Sequence, residues 1–167
     1  CCAPGSVEQR KALADDLLRL VTRLNAWAAV EHRSDGTHQL PWESTPYVAS
    51  DYTASGTMTW TVTAPQVGTS RSRQIDTGLA WQLVIRTSTV AGAASNTLLV
   101  RLPRQARSGL FEQGGSFPYF DNGVAGTGFW RLSPSSTQLE LWTSLALANW
   151  AAAGTTTIAL SISVEVT

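Results

Sequence analysis

The stretch Gly154-Thr155-Thr156-Thr157-Ile158-Ala159-Leu160-Ser161-Ile162-Ser163-Val164-Glu165-Val166-Thr167 decides the fold. Ile158, Leu160, Ile162, Val164 and Val166 alternate with Thr157, Ala159, Ser161, Ser163 and Glu165. Successive side chains of a strand point to opposite faces, so this alternation predicts a strand with one apolar face and one small, polar face. The same pattern recurs upstream. Met58, Trp60, Val62 and Ala64 alternate with Thr57, Thr59, Thr61 and Thr63. Leu79, Trp81, Leu83 and Ile85 alternate with Ala80, Gln82, Val84 and Arg86. Leu98, Val100 and Leu102 make a further run, which Pro103 ends. Thr127 to Leu132 and Thr137 to Thr143 read as strands. Phe111, Phe117, Tyr119 and Phe120, set among Gly114, Gly115 and Pro118, read as short strands and loop. Ala146 to Ala153 reads as a short helical turn or a loop. Turn residues at Gly68, Gly78, Gly92, Asp121-Asn122-Gly123, Ser133-Pro134-Ser135-Ser136 and Gly154 separate the runs. About seven to nine strands result with no helical crossover between them, and such strands pair antiparallel. The expected fold is mostly β, an antiparallel β-sandwich of jelly-roll or immunoglobulin-like type.

A different period precedes it. Residues 6–32 read as one amphipathic α-helix, with Ser6 as N-cap and Gln9 completing a capping box. Leu13, Leu17, Leu20, Leu24 and Trp27 recur at alternating steps of four and three, a heptad-like seam, which Leu18 and Val21 widen. Such a seam packs on its own domain or meets copies of itself. We expect self-association and attachment along Leu13, Leu17, Leu20, Leu24 and Trp27. Breakers follow: Asp35-Gly36-Thr37-His38 is a turn, and Pro41 and Pro46 stand among Ser and Thr. The chain is therefore divided into a helical segment 1–40, a linker 41–56 and a β domain 57–167. Trp42, Tyr47 and Tyr52 suggest a linker laid on a surface.

Composition narrows the function. The 167 residues carry twelve basic and twelve acidic side chains, and Lys11 is the only lysine. Zero net charge lacks the basic excess of a nucleic-acid binder. Seven Trp argue against disorder. No apolar run approaches the roughly 20 residues that span a bilayer. Cys1 and Cys2 are the only cysteines, and adjacent cysteines close no useful loop. Cys1 is read either as the residue left after initiator removal or as the lipidated first residue of a lipoprotein.

Catalytic patterns are sparse. His32 and His38 with Asp35 contain metal-ligand residue types. The simpler reading has His32 complementing a helix end while Asp35 and His38 hydrogen-bond a turn. No G-x-S-x-G elbow, P-loop or dinucleotide fingerprint occurs. Asp76, Glu112, Asp121, Glu140 and Glu165 are isolated, whereas glycosidases need paired carboxylates. We expect no enzyme, no metal and no cofactor. Aromatic faces can stack on sugars or partner proteins. Trp60 and Trp81 fall in phase with core aliphatics. Trp142 falls out of phase with Leu139 and Leu141, so it is the best exposed candidate. Trp130, Phe117 and Tyr119 come next.

Trp27 with Glu31-His32-Arg33-Ser34-Asp35-Gly36-Thr37-His38 resembles an element near the start of many tailed-phage virion proteins. Gly56-Thr57-Met58-Thr59-Trp60-Thr61-Val62 resembles the opening strand of the fibre or decoration domain that follows. Ala93-Ala94-Ser95-Asn96-Thr97-Leu98 with Leu102-Pro103 resembles its middle, and Asn149-Trp150-Ala151 with the last strand resembles its close. The resemblance implies a trimeric virion structural protein with a helical base and a knob like tumour-necrosis-factor or C1q heads. Its partners would be copies of itself and major capsid or neck and tail proteins, without nucleic acid or membrane. It would assemble in the host cytoplasm as capsid decoration, cement or short fibre. The alternative is a tail-fibre tip that recognises a host surface glycan. A third reading is a bacterial lipoprotein or carbohydrate-binding module.

Overall fold

The computed structural model describes residues 7–31, 41–75, 77–107 and 111–167. It is mostly β with one helix, as the two periods of the sequence require. Residues 1–41 and 42–167 form separate compact units. The first contains helix α1, Val7–Glu31. Every side chain described between Asp15 and Ala26 is exposed. No helix among the described residues is long and apolar enough to cross a membrane.

The second unit contains β1 (Glu43–Ser44), β2 (Tyr52–Ala54), β3 (Thr59–Thr61), β4 (Val67–Ile75), β5 (Gly78–Ala91), β6 (Leu98–Arg101), β7 (Gln113–Asp121), β8 (Val124–Leu132), β9 (Gln138–Trp142) and β10 (Gly154–Glu165). All pairings are antiparallel, in the order β1-β4-β5-β10-β7-β8-β9-β6-β2, with β3 also on β5. β10 pairs β5 along its whole length but meets β7 only through Thr156, Thr157 and Ile158. The sheet therefore splits beyond Ile158 and curls into two layers over one core cluster. Leu79, Leu83 and Ile85 of one layer and Leu132, Leu139 and Leu141 of the other all contribute to it.

A bulge in β5 helps close the fold. Leu79, Trp81, Leu83 and Ile85 are buried, then Arg86 and Thr87 are both exposed, and burial resumes at Ser88 and Val90. Thr87 has positive φ, and the pairing with β10 shifts by one residue there. An extra residue raises local twist and bends a strand. Beyond the bulge β5 exchanges β4 for β3 as neighbour. β3 in turn brings Trp60 edge-on to Tyr52 of β2, with centroids 5.6 Å apart. Buried Ser88 accepts from Trp60 Nε1 at 2.9 Å and donates to the Thr156 carbonyl at 2.8 Å. The bulge therefore leaves its buried hydroxyl satisfied.

Three parts of the fold differ from the sequence reading. Residues 42–56, expected as linker, belong to the β unit. β1 and β2 lie there, Tyr52 is in the core, and Tyr47 donates to the Val62 carbonyl at 2.6 Å. β4 falls outside the expected strands, because its run of Thr, Ser and Arg has no apolar alternation. Residues 113–121 form one continuous strand rather than short strands and loop. β7 and β8 meet through Asn122-Gly123, both with positive φ, the geometry of a tight type I′ hairpin. In this hairpin aromatic rings lie over opposed glycines: Phe117 over Gly128 and Tyr119 over Gly126. A Cβ at Gly128 would sit 2.6 Å from the Phe117 ring, so the flat packing needs glycine there.

Candidate functional site

The predicted site residues divide by position. On α1, Leu17, Leu20 and Leu24 are 52%, 53% and 53% exposed, and Leu18 and Val21 are exposed beside them. The side chains of Leu13 and Trp27 lie outside the described residues, as do His32 and the turn Asp35, Gly36, Thr37 and His38. Among the described residues no three His, Cys, Asp or Glu side chains gather as metal ligands would.

The four aromatic candidates do not share one surface. Phe117 and Trp130 are buried, which corrects their reading as exposed contacts. Trp130 keeps step with buried Leu132, and Phe117 keeps step inward along β7, so the pleat turns both to the core. Tyr119 is half-buried, edge-on to buried Trp150 at 5.2 Å. Trp142 is half-buried and turned outward, opposite in direction to buried Leu141.

Around Trp142 the structure forms a shallow groove of about 380 Å³. Register builds it. Phe129 of β8 stands directly across from Trp142, and Arg131 directly across from Glu140. Both pairs therefore lie on the same outer face. Leu145, 72% exposed, and Glu112 lie at its margins. The indole is held at two points. Its Nε1 donates to Thr97 Oγ1 at 3.1 Å, and the Arg131 guanidinium covers its ring at 4.7 Å. Arg131 also donates to Glu140 Oε2 at 2.7 Å through Nη2 and lies 3.5 Å from Glu112 Oε1. Each such contact contributes about 1 kcal/mol or less at a solvent-accessible site. Their joint effect is geometric: they fix the ring, and the one guanidinium offsets part of the charge of the two carboxylates beside it. The groove offers a rigid aromatic edge and an apolar margin to a ligand or a partner surface. Both Phe129 and Leu145 escaped the sequence reading. Alternation next to Trp130 signals Phe129, but Leu145 sits in a loop that carries no periodicity.

Comparison with protein families, with curated proteins and with solved structures finds no match for this chain.

Proposed function

We propose that the chain is a non-enzymatic structural protein of a tailed-phage virion, a homotrimer that decorates or cements the capsid or forms a short fibre at its head or neck. One observation carries the self-association: Leu17, Leu20 and Leu24, with Leu18 and Val21, stand exposed along α1. Their spacing is that at which neighbouring helices pack side chains between one another. A contiguous apolar stripe in water marks an interaction surface. The virion setting rests on the order of the DGTH turn and the strand motifs quoted above. Symmetry adds avidity, since three weak attachment ends engage together.

Sedimentation equilibrium tests this reading. The expected mass is about three times that of the 17.9 kDa chain. Leu17→Asp with Leu20→Asp should return the single-chain mass, preserve the β signal in circular dichroism and abolish incorporation into virions. A wild-type monomer at micromolar concentration overturns the trimer. Unchanged incorporation of the double variant moves attachment elsewhere.

The Trp142 groove favours a second reading, a fibre tip that contacts a host glycan. Copy number per virion separates the two. Decoration requires hundreds of copies, whereas a tip requires tens or fewer.

A further inference from the structure

We propose that the outer face of β4, β5 and β10 carries a binding site for a sugar ring bearing a carboxylate or phosphate. This site lies on a different layer from Trp142 and is independent of the assembly role. Strand register sets its rows. Arg71, Gln82 and Ser161 form one row across β4, β5 and β10, and Thr69, Val84 and Ala159 form the next. Where β10 parts from β7, Ser116 and Pro118 make the far wall. The resulting groove has a volume of about 410 Å³, within the range of small-molecule sites.

Its chemistry is one-sided. The lining holds hydroxyls, an amide and a guanidinium, with no carboxylate. Gln82 Oε1 accepts from Arg71 Nε at 2.8 Å, which orients the guanidinium and leaves its terminal N–H groups for a ligand. Arg73 lies beside it, and both guanidiniums cover the Trp42 ring, at 5.1 Å for Arg71 and 4.9 Å for Arg73. Arg73 Nε is buried with no hydrogen-bond acceptor. Ion pairs among the described residues belong to Arg107 and Arg131 only. Glu43 stands across from Ser72, not Arg71, so alternation sends its side chain to the other face. Two neighbouring cations with no carboxylate ion pair among the described residues favour an anion. A guanidinium with free terminal N–H groups matches a carboxylate or phosphate edge. Val84, Ala159 and Pro118 supply apolar surface for the C–H face of a ring, and Thr69, Ser116 and Ser161 supply partners for its hydroxyls.

Saturation-transfer NMR and titration of the full chain at low ionic strength test the site. The probes are glucuronate, glucose 6-phosphate, glucose and inorganic phosphate. The expected result is binding of one or both sugar acids, weakening with added salt, at least about tenfold tighter than glucose or phosphate alone. The two sugar acids show which anion is preferred. Arg71→Gln should weaken binding by about tenfold or more, as loss of a charge-assisted bond predicts. Ser161→Trp, which fills the groove from an exposed position, should abolish it. Arg104→Gln, at an exposed position outside the groove, should leave it unchanged. Equal binding of glucose and glucuronate, phosphate binding as tightly as the sugar acids, or no binding by any probe overturns the proposal. So does full retention in Arg71→Gln or Ser161→Trp.

Discussion

Strand β10 and helix α1 both carry regularly spaced apolar side chains, yet they meet different fates. Ile158, Leu160, Ile162 and Val164 of β10 are at most 5% exposed, whereas Leu17, Leu20 and Leu24 of α1 are about half exposed. The strand finds its complement within the same chain. β5 pairs it residue by residue, and the opposite layer closes over its apolar face. The helix shows no such cover on its described face. One amphipathic pattern therefore completes a core, while the other presents a surface. The chain combines a β unit that holds its own core with a helix whose described apolar side chains are exposed.

The sharpest way to break this contrast is to cut into the β core. Leu83 is fully buried in the middle of β5. Leu83→Ala should destabilise the β unit by about 2–5 kcal/mol, the usual sum of lost transfer energy and residual cavity. Denaturant unfolding followed by tryptophan fluorescence measures it. A loss below about 1 kcal/mol would mean that the core tolerates collapse, and β10 would no longer stand for a closed region.

Alkaline pH separates the regions by a different route. Burial raises the Tyr52 phenol to a pKa of about 12, with help from the neighbouring Asp51 carboxylate and from Tyr47. In the unfolded chain the phenol ionises near its ordinary value of 10. The folded state therefore holds this proton more tightly. Its stabilising effect is complete below pH 10 and is lost as pH rises through about 12. The loss should reach about 2 kcal/mol. Tyr52→Phe should flatten that part of the stability profile. An unchanged profile would assign alkaline unfolding to another group.

The β-sandwich and helix were legible because each rests on one repeated physical rule. A threonine face marked the strand around Trp60 and a small, polar face marked β10, and Asn122-Gly123 carried the positive φ its hairpin requires. What the sequence hid depended on neighbours distant along the chain. β4 has no apolar face of its own and is recruited by pairing with β5. Tyr52 enters the core because the β5 bulge delivers Trp60 to it. Trp150 is fully buried from within a loop, its Nε1 donating to the Leu141 carbonyl at 3.1 Å. No period could announce that position. At the candidate site, phase alone identified Trp142, whereas Arg131 over its ring required β8 and β9 in register.

The smallest effect tests the contrast from the helix side. Leu20 is 53% exposed and lies in a unit separate from residues 42–167. Leu20→Ala should move β-unit unfolding by no more than about 0.5 kcal/mol, as for a surface change away from a core. Alanine also has the highest helix propensity, so the substitution does not weaken the backbone preference for α1. Its effect should appear only in association. Wild-type helical ellipticity should rise with protein concentration, because each stripe is covered when chains meet. In Leu20→Ala that rise should move to higher concentration, while the near-ultraviolet signal of the β-unit tryptophans stays independent of concentration. If β-unit stability instead falls with the helix signal, Leu20 contributes to its own chain's core and the separation of roles fails. If neither changes, the stripe is exposed without being an interface.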